Sequence, residues 1–324
     1  MLLGLTVALV IAELSLAFFD VQYNGANTSR YYTNERGYFD RTYLDESGRT
    51  VYWVQQEATP EGYRVRSRND PVPAPPSKDV WSVLLLGDSF TFGQGVKFED
   101  IYSTRLQEAM ERRGITIAIR NCGIRGAGLE KIIETYRREA AKSRFDFVVY
   151  GFVLNDFPMP DWNAVRGDDF IDQDNNIPSE YDRLEATFRV IHFVRDRYQR
   201  IILNRRTTQQ YLEAYRGERA KYSFRRFSEF HQLVRANGQQ FAVMIFPLLY
   251  DFDSYPFQEI HDRLHAFLDE ERIPYLDLLP AFSSYPAEDL WVHSVDHHPN
   301  ELAHRVTAEQ LEEFLLSARA RRNP

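Results

Sequence analysis

Segments with strand and helix character alternate along most of this chain. Five short apolar runs have the character of buried parallel strands, and amphipathic stretches with helical spacing separate them. The five predicted strands are "VWSVLLLGDSF", "ITIAIRNCG", "FDFVVYGFVLND", "QQFAVMIFP" and "IPYLDLL". The alternation predicts a three-layer α/β/α fold, in which helices cover both faces of a parallel five-stranded sheet.

Three segments lie outside this alternation. Residues 1–19 are apolar, and residues 20–78 form an N-terminal extension and linker that ends in the proline cluster "NDPVPAPPSK". Within the extension, "TVYWVQQ" from Thr50 predicts a short strand. The main domain is predicted over residues 79–324, with a helical insertion at 157–222.

The apolar N-terminal run, Leu2 to Phe19, has the length of a membrane-spanning helix and is interrupted by Glu13. A helix in a globular core normally has a polar face, and this run has almost none. We favour a signal anchor; a signal peptide with "SLA", Ser15 to Ala17, as its cleavage site is the second interpretation, and a soluble helix the third. The first two place the body of the protein outside the cytoplasm, in the periplasm or at the cell surface.

The insertion contains a basic amphipathic stretch, "RLEATFRVIHFVRDRYQRIILNRR". Its apolar residues recur every three or four positions and form one stripe on a helix. The favoured interpretation is a cap helix that packs this stripe on the domain. The alternative is a helix that lies on anionic lipid.

Composition excludes several classes of function. The formal net charge of −8 argues against nucleic-acid binding, which needs a basic face. Cys122 is the only cysteine, so an internal disulfide and a thiolate zinc site are both excluded. Its position near the end of a predicted strand favours a small buried side chain over a reactive thiol.

Polar residues follow the predicted strands at their carboxyl ends, where ligands bind in open parallel sheets. Ser89 stands where the first strand turns into a helix, and Gly126 belongs to the glycine-rich turn after the second. Asn155 ends the third strand, and the "DHHPN" loop with Asp296 and His298 follows the last. A serine nucleophile, convergent donors and an imidazole with a carboxylate are the components of acyl transfer.

The histidine-rich loop itself allows two other interpretations. His293, His297 or His298, together with Asp296, could ligate a metal, although ligands this close in sequence rarely all reach one tetrahedral centre. A polar loop without chemistry is the other alternative. We favour catalysis, because Ser89 and the other strand-end residues explain why a histidine should lie there; no metal or cofactor is expected.

A second histidine pair, His261 and His265 in "HDRLH", has the i, i+4 spacing of metal ligands on a helix. The sequence shows no carboxylate with a known placement beside them. A solvated helix face is therefore the favoured interpretation.

These strand-end motifs resemble the SGNH hydrolases, also called GDSL-type esterases and lipases. The resemblance runs from about Trp81 to the C-terminus apart from the insertion, and it rests on "GDSF", "NCGIRG", "VLND" and "DHHPN". The third block normally reads Gly-x-Asn-Asp, and here Val153 replaces its glycine. The last block more often has its aspartate three residues before the histidine, whereas Asp296 lies two before His298.

The resemblance implies a serine esterase with Ser89 as nucleophile, His298 as base and Asp296 as its partner. The backbone N–H groups of Ser89 and Gly126 and the side chain of Asn155 would form the oxyanion hole. The substrate would be a small-molecule, lipid or glycan ester, including O-acetyl groups of the cell envelope, and the membrane-anchored bacterial type fits the N-terminal run. Two alternatives stay open: a polysaccharide O-acetyltransferase, and a non-catalytic glycan-binding or envelope-assembly module.

Overall fold

The computed structural model describes residues 2–18, 31–33, 39–44, 50–54, 57–67, 80–158, 190, 208–293 and 296–322. The chain divides into two compact units, one of residues 1–30 and 159–213 and the other of residues 31–158 and 214–324. The alternating strands and helices belong to the second unit.

The centre of this second unit is a sheet of five parallel strands, as predicted, in the order β10-β9-β8-β6-β7. Every residue of the two central strands β6 and β8 is buried, which explains their unbroken apolar sequences. The strands are β6 (Trp81–Gly87), β7 (Ile117–Gly123), β8 (Phe147–Val153), β9 (Gln240–Phe246) and β10 (Tyr275–Asp277).

Helices connect these strands and cover the sheet. They are α2 (Ser89–Phe92), α3 (Tyr102–Arg112), α4 (Leu129–Lys142), α5 (Gly217–Ala236), α6 (Gln258–Glu270), α7 (Leu279–Phe282) and α8 (Glu301–Arg322). Short 3-10 turns lie at Phe98–Asp100, Leu154–Asp156, Phe252–Ser254 and Ala287–Leu290.

The two faces of the sheet carry different side chains. On one face, Val83 and Val149 belong to a mixed aliphatic and aromatic cluster that includes residues of α3 and α8, such as Leu106 and Leu311. On the other face Tyr150 packs its ring against aromatic side chains of α5, and one of these, Phe230, also packs against Tyr136 of α4. The result is the predicted three-layer arrangement.

Smaller β elements flank this core. Three short strands form an antiparallel sheet, and the third includes the strand predicted from Thr50. Two further antiparallel pairs are a small hairpin, β4–β5, and the ribbon β11–β12, which carries the histidine-rich sequence. The strands are β1 (Tyr31–Thr33), β2 (Phe39–Leu44), β3 (Thr50–Val54), β4 (Glu57–Ala58), β5 (Arg64–Val65), β11 (Trp291–His293) and β12 (Asp296–Pro299).

The first unit contains helix α1 (Leu2–Phe18), in which Glu13 Oε2 accepts a hydrogen bond of 2.9 Å from the backbone N–H of Val190. Among the helices of the described residues, none combines the length and the apolar character needed to cross a membrane. The signal anchor or signal peptide therefore gains no support from the structure and stays a prediction. Apart from Val190, the basic stretch of the insertion lies outside the described residues.

The expectation of a solvated face for His261 and His265 is wrong. His261 is fully buried, and the side chain of His265 is 31% exposed. Both imidazoles hydrogen-bond to Asp277, which stands at the end of β10. The sequence did not reveal this carboxylate because it reaches the helix only through the packing of α6 beside β10.

Candidate active site

Ser89 lies at the junction of β6 and α2. The preceding residue, Asp88, caps the helix because its carboxylate accepts a hydrogen bond of 2.8 Å from the backbone N–H of Phe90. Ser89 is 8% exposed, and its Oγ lies 3.4 Å from Asp88 Oδ2. The cap fixes the turn that presents the serine at the carboxyl end of the central strand.

His298 meets this serine from the far end of the chain. Its Nε2 lies 2.9 Å from Ser89 Oγ, which is hydrogen-bonding distance for a nucleophile and its base. The imidazole packs edge-on against the ring of Phe90, with 5.5 Å between the ring centroids. The contact brings together two residues that are 209 positions apart.

Asn300 anchors the strand that carries His298. Its Oδ1 accepts hydrogen bonds from the N–H groups of Leu302 and Ala303, and so caps α8. Its Nδ2 donates to the carbonyl oxygens of Asp289 and Trp291. This side chain therefore joins three segments around the histidine, a structural reason for an asparagine in the "HPN" sequence.

Gln94 contacts the other nitrogen of the imidazole. Its Nε2 lies 3.4 Å from His298 Nδ1. A base that accepts a proton at Nε2 must carry one on Nδ1, so a Gln94 side chain that stabilises this tautomer must turn its amide oxygen toward Nδ1. Gln94 is thus a direct neighbour of the nitrogen whose protonation sets the tautomer of the base.

Asp296 begins β12, where its backbone pairs with that of His293. The side chains of these two residues lie outside the described part of the structure, so Asp296 as the partner of His298 stays a prediction. His297, between Asp296 and His298, is exposed and stacks on the indole of Trp291, with 3.9 Å between the ring centroids.

The glycine-rich turn after β7 approaches α2 closely. A Cβ added to Gly123 would lie 2.2 Å from the backbone nitrogen of Phe92, so no larger residue fits without a shift. Asn121 holds the two segments together, because its Nδ2 donates to the carbonyl of Thr91 and its Oδ1 accepts from the N–H of Gly123. Gly126 is exposed and has a φ of +69°, a left-handed conformation that glycine adopts without strain.

Asn155 lies in the 3-10 turn after β8, the strand that pairs directly with β6. This turn contacts the glycine-rich turn, since a Cβ on Gly128 would lie 3.2 Å from the carbonyl oxygen of Asp156. Asn155 Oδ1 is buried and has no hydrogen-bond partner among the described residues. The oxygen of the Asn155 side chain therefore makes no hydrogen bond, within the described part of the chain, that would hold the turn.

Asp156 fixes the backbone of the Asn155 turn. Its Oδ2 lies 2.8 Å from the hydroxyl of Tyr150 and accepts a hydrogen bond from the N–H of Val153. Burial, together with the charge of Asp88, raises the pKa of Asp156 well above its ordinary value. Burial therefore favours the neutral form of Asp156, and its hydrogen bonds hold the turn that contains Asn155.

Asp88 shapes the electrostatics around the serine. Burial raises the pKa of its carboxyl group to about 6, and the positive charge of a protonated His298 acts in the opposite direction. The attraction is mutual, so an ionised Asp88 stabilises the imidazolium that forms when His298 accepts a proton.

His304 supports the site without taking part in it. It is fully buried, its Nδ1 accepts a hydrogen bond from the N–H of Tyr102, and the two rings stack. Burial lowers the pKa of His304 to about 3, so the imidazole is neutral. The hydroxyl of Tyr102 bonds to Thr91 of α2, which links α8 through α3 to the serine turn.

Two residues of this region, Gln94 and Arg64, lie outside the motifs described above. Gln94 lies between Gly93 and Gly95, whose φ values are +79° and +85°. These two glycines were the sequence feature that could have indicated a tight loop there. The buried Arg64 of β5 binds the carbonyls of Gly93 and Val96 and so holds this loop. No motif marks Arg64, because its partners are backbone atoms distant in sequence.

Several solved structures are similar to this chain at low sequence identity. No protein-family model matches the chain, and no curated protein matches it either. Similar solved structures include the acetyl xylan esterase AlAXEase, with 15% identity and a TM-score of 0.44 over 71% of this chain and 97% of that one. TesA has 13% identity and a TM-score of 0.46 over 71% and 95% of the two chains.

The psychrotrophic esterase EstA from Pseudoalteromonas sp. has 13% identity and a TM-score of 0.45 over 72% and 98% of the two chains. Other similar structures include two lipolytic proteins of the G-D-S-L family and a GDSL-like lipase. At these identities and TM-scores the function must be argued from the site itself. The comparisons leave the membrane-anchored bacterial branch without support.

Proposed function

We propose that this protein is a serine ester hydrolase with Ser89 as nucleophile and His298 as general base. The observation that carries the proposal is the 2.9 Å contact between Ser89 Oγ and His298 Nε2 at the carboxyl end of β6. A hydroxyl and an imidazole at this distance form the minimal unit of nucleophilic acyl transfer.

The proposed reaction begins at the Ser89–His298 contact. Ser89 Oγ attacks the ester carbonyl while its proton moves to His298 Nε2, and the carbonyl oxygen becomes an oxyanion. The backbone N–H groups of Ser89 and Gly126 and the Nδ2 of Asn155 donate to this oxyanion. His298 then protonates the leaving alcohol as the ester C–O bond breaks, which leaves an acyl group on Ser89. A water molecule, deprotonated by His298, attacks this acyl group, and His298 returns the proton to Ser89 Oγ as the acid leaves.

Asp296 is the third catalytic residue of the proposal. We expect Asp296→Ala to lower kcat by about two to four orders of magnitude, because a carboxylate that orients the imidazole also stabilises its charged form. The loss should be smaller than that of His298→Ala, since Gln94 also contacts His298. Steady-state hydrolysis of p-nitrophenyl acetate measures both variants.

The matched control is Asp289→Ala, which removes another carboxylate close to the β11–β12 ribbon while leaving the Asp289 carbonyl that binds Asn300. It should retain most of the activity. Near-wild-type turnover in Asp296→Ala together with an inactive Asp289→Ala would show that the wrong aspartate has been assigned.

The molecule that accepts the acyl group distinguishes a hydrolase, which uses water, from an acetyltransferase, which uses a sugar hydroxyl. With p-nitrophenyl acetate we expect stoichiometric acetate from the wild-type protein and none above background from Ser89→Ala. Acetyl groups recovered mainly on an added oligosaccharide would identify a transferase. If the folded wild-type protein released no nitrophenol and transferred no acetyl group, the proposal would be overturned. A non-catalytic module would then be the remaining interpretation.

The location outside the cytoplasm belongs to the proposal as well, and the apolar sequence of residues 2–19 supports it. The esters of envelope glycans or lipids would then be within reach of the enzyme. Cell fractionation tests this: we expect the protein in the membrane or periplasmic fraction, and recovery from the cytosol would contradict it.

A further inference from the structure

A second cluster of chemically active side chains lies outside the proposed active site. His261 and His265 occupy one face of α6, and Asp277 ends β10 beside them. Asp277 Oδ2 lies 2.8 Å from His261 Nδ1 and 2.8 Å from His265 Nε2. The three candidate ligand atoms all lie within 4.8 Å of one another.

The geometry is close to that of a zinc site. With bonds of about 2.0 to 2.1 Å, the ligand atoms of a tetrahedral Zn²⁺ are about 3.3 Å apart. The observed separations of 2.8 Å would need an outward shift of about half an ångström at each nitrogen.

The surroundings of His261 suit a metal ligand. Its second ring nitrogen, Nε2, lies 3.3 Å from the hydroxyl of Tyr255. When Nδ1 binds a cation, Nε2 must carry the proton, and the Tyr255 oxygen can then accept a hydrogen bond from Nε2–H. The same oxygen accepts a hydrogen bond from the N–H of Leu248, which holds it in place.

The other two residues provide orientation and access. His265 stacks on Tyr275 with 4.8 Å between the ring centroids, and this fixes the plane of its imidazole. Asp277 Oδ1 accepts from the N–H of Leu279, which leaves Oδ2 for the histidines. Because the His265 side chain is 31% exposed while that of His261 is fully buried, solvent reaches the cluster from the His265 side.

We propose that His261, His265 and Asp277 bind one Zn²⁺ ion, with water as the fourth ligand. Two imidazoles and one carboxylate favour zinc over magnesium or calcium, which prefer oxygen ligands. Three protein ligands and a water are usual at catalytic zinc sites, but this cluster lies away from Ser89, so we assign the ion a structural role in which it joins α6 to the end of β10 and to the start of α7. In the strand order β10-β9-β8-β6, Asp277 and Ser89 are three strands apart, about 14 Å at 4.8 Å per strand.

The proposal is tested on the full-length protein after removal of metal with a chelator. Calorimetric titration with zinc chloride should show one equivalent bound, and zinc should raise the Tm. Cobalt(II) in place of zinc should give the visible absorption of a tetrahedral site. No zinc binding by the folded wild-type protein would overturn the proposal.

Three variants locate the site. His265→Gln and Asp277→Asn should lose both the bound equivalent and the zinc-dependent rise in Tm. His231→Gln is the matched control and should retain both, because His231 lies on α5 and its Nδ1 is 3.8 Å from Glu271 rather than in the cluster. Undiminished binding in His265→Gln and Asp277→Asn would place the ion elsewhere and contradict the assignment.

Ester cleavage provides an independent check of the structural role. Chelation should lower the Tm without lowering turnover at temperatures well below the transition. A loss of turnover at such temperatures that zinc restores would contradict a purely structural ion. Zinc binding itself is measured without any substrate, so its outcome does not depend on the proposed esterase activity.

Discussion

Ser89→Ala and His298→Ala are each expected to lower kcat for p-nitrophenyl acetate by about four to six orders of magnitude. The first variant removes the nucleophile, and the second removes the group that accepts its proton. The two losses should not add in a double variant, because nucleophile and base act as one unit.

Folding controls make this result interpretable. Each variant should keep the circular dichroism spectrum of the wild type and a cooperative thermal transition. Ser228→Ala and His231→Gln, on α5, are matched controls that remove the same functional groups away from the site, and both should remain active. Substantial turnover in folded Ser89→Ala or His298→Ala would refute the assigned roles.

Asn155→Ala is expected to lower kcat by about two to three orders of magnitude and to leave KM little changed. The Nδ2 donor is proposed to interact with the oxyanion, which exists only after attack has begun. Its loss therefore affects the transition state more than the bound ester. Asn155→Asp should be at least as impaired, because a carboxylate would repel the developing charge.

The thermal stability of Asn155→Ala separates this role from a structural one. Since Asn155 Oδ1 has no hydrogen-bond partner among the described residues, truncation should change the Tm little. Asn237→Ala is the control: it removes the donor to the Tyr136 hydroxyl and should lower the Tm without lowering kcat. Wild-type kcat in folded Asn155→Ala would exclude this amide from the oxyanion hole.

The sheet could be predicted from sequence because central parallel strands are buried on both faces. β6 and β8 therefore appear as continuous apolar runs, and each ends in the polar residues that line one edge of the sheet. Ser89 and Asn155 were found in this way, from their places at the ends of neighbouring strands. Strand character and strand-end position are local properties, which a sequence displays directly.

Contacts that depend on packing between distant segments were harder to predict. The loop that carries Gln94 to His298 contains two left-handed glycines and is held by hydrogen bonds from Arg64. The glycines are visible in the sequence, but the partners of Arg64 are not. Asp277 reaches His261 only because β10 lies beside α6. Such residues are recognised once the elements are assembled, since their partners lie on other segments of the chain.

Covalent labelling with a fluorophosphonate tests the central claim most directly, because such reagents react with a serine whose hydroxyl is activated by a base. Intact mass spectrometry of the wild-type protein should show one phosphonyl group, and peptide mapping should place it on Ser89. Ser89→Ala should remain unlabelled, and His298→Ala should react far more slowly than the wild type. An unlabelled wild-type protein, or a label on a different residue, would contradict the account.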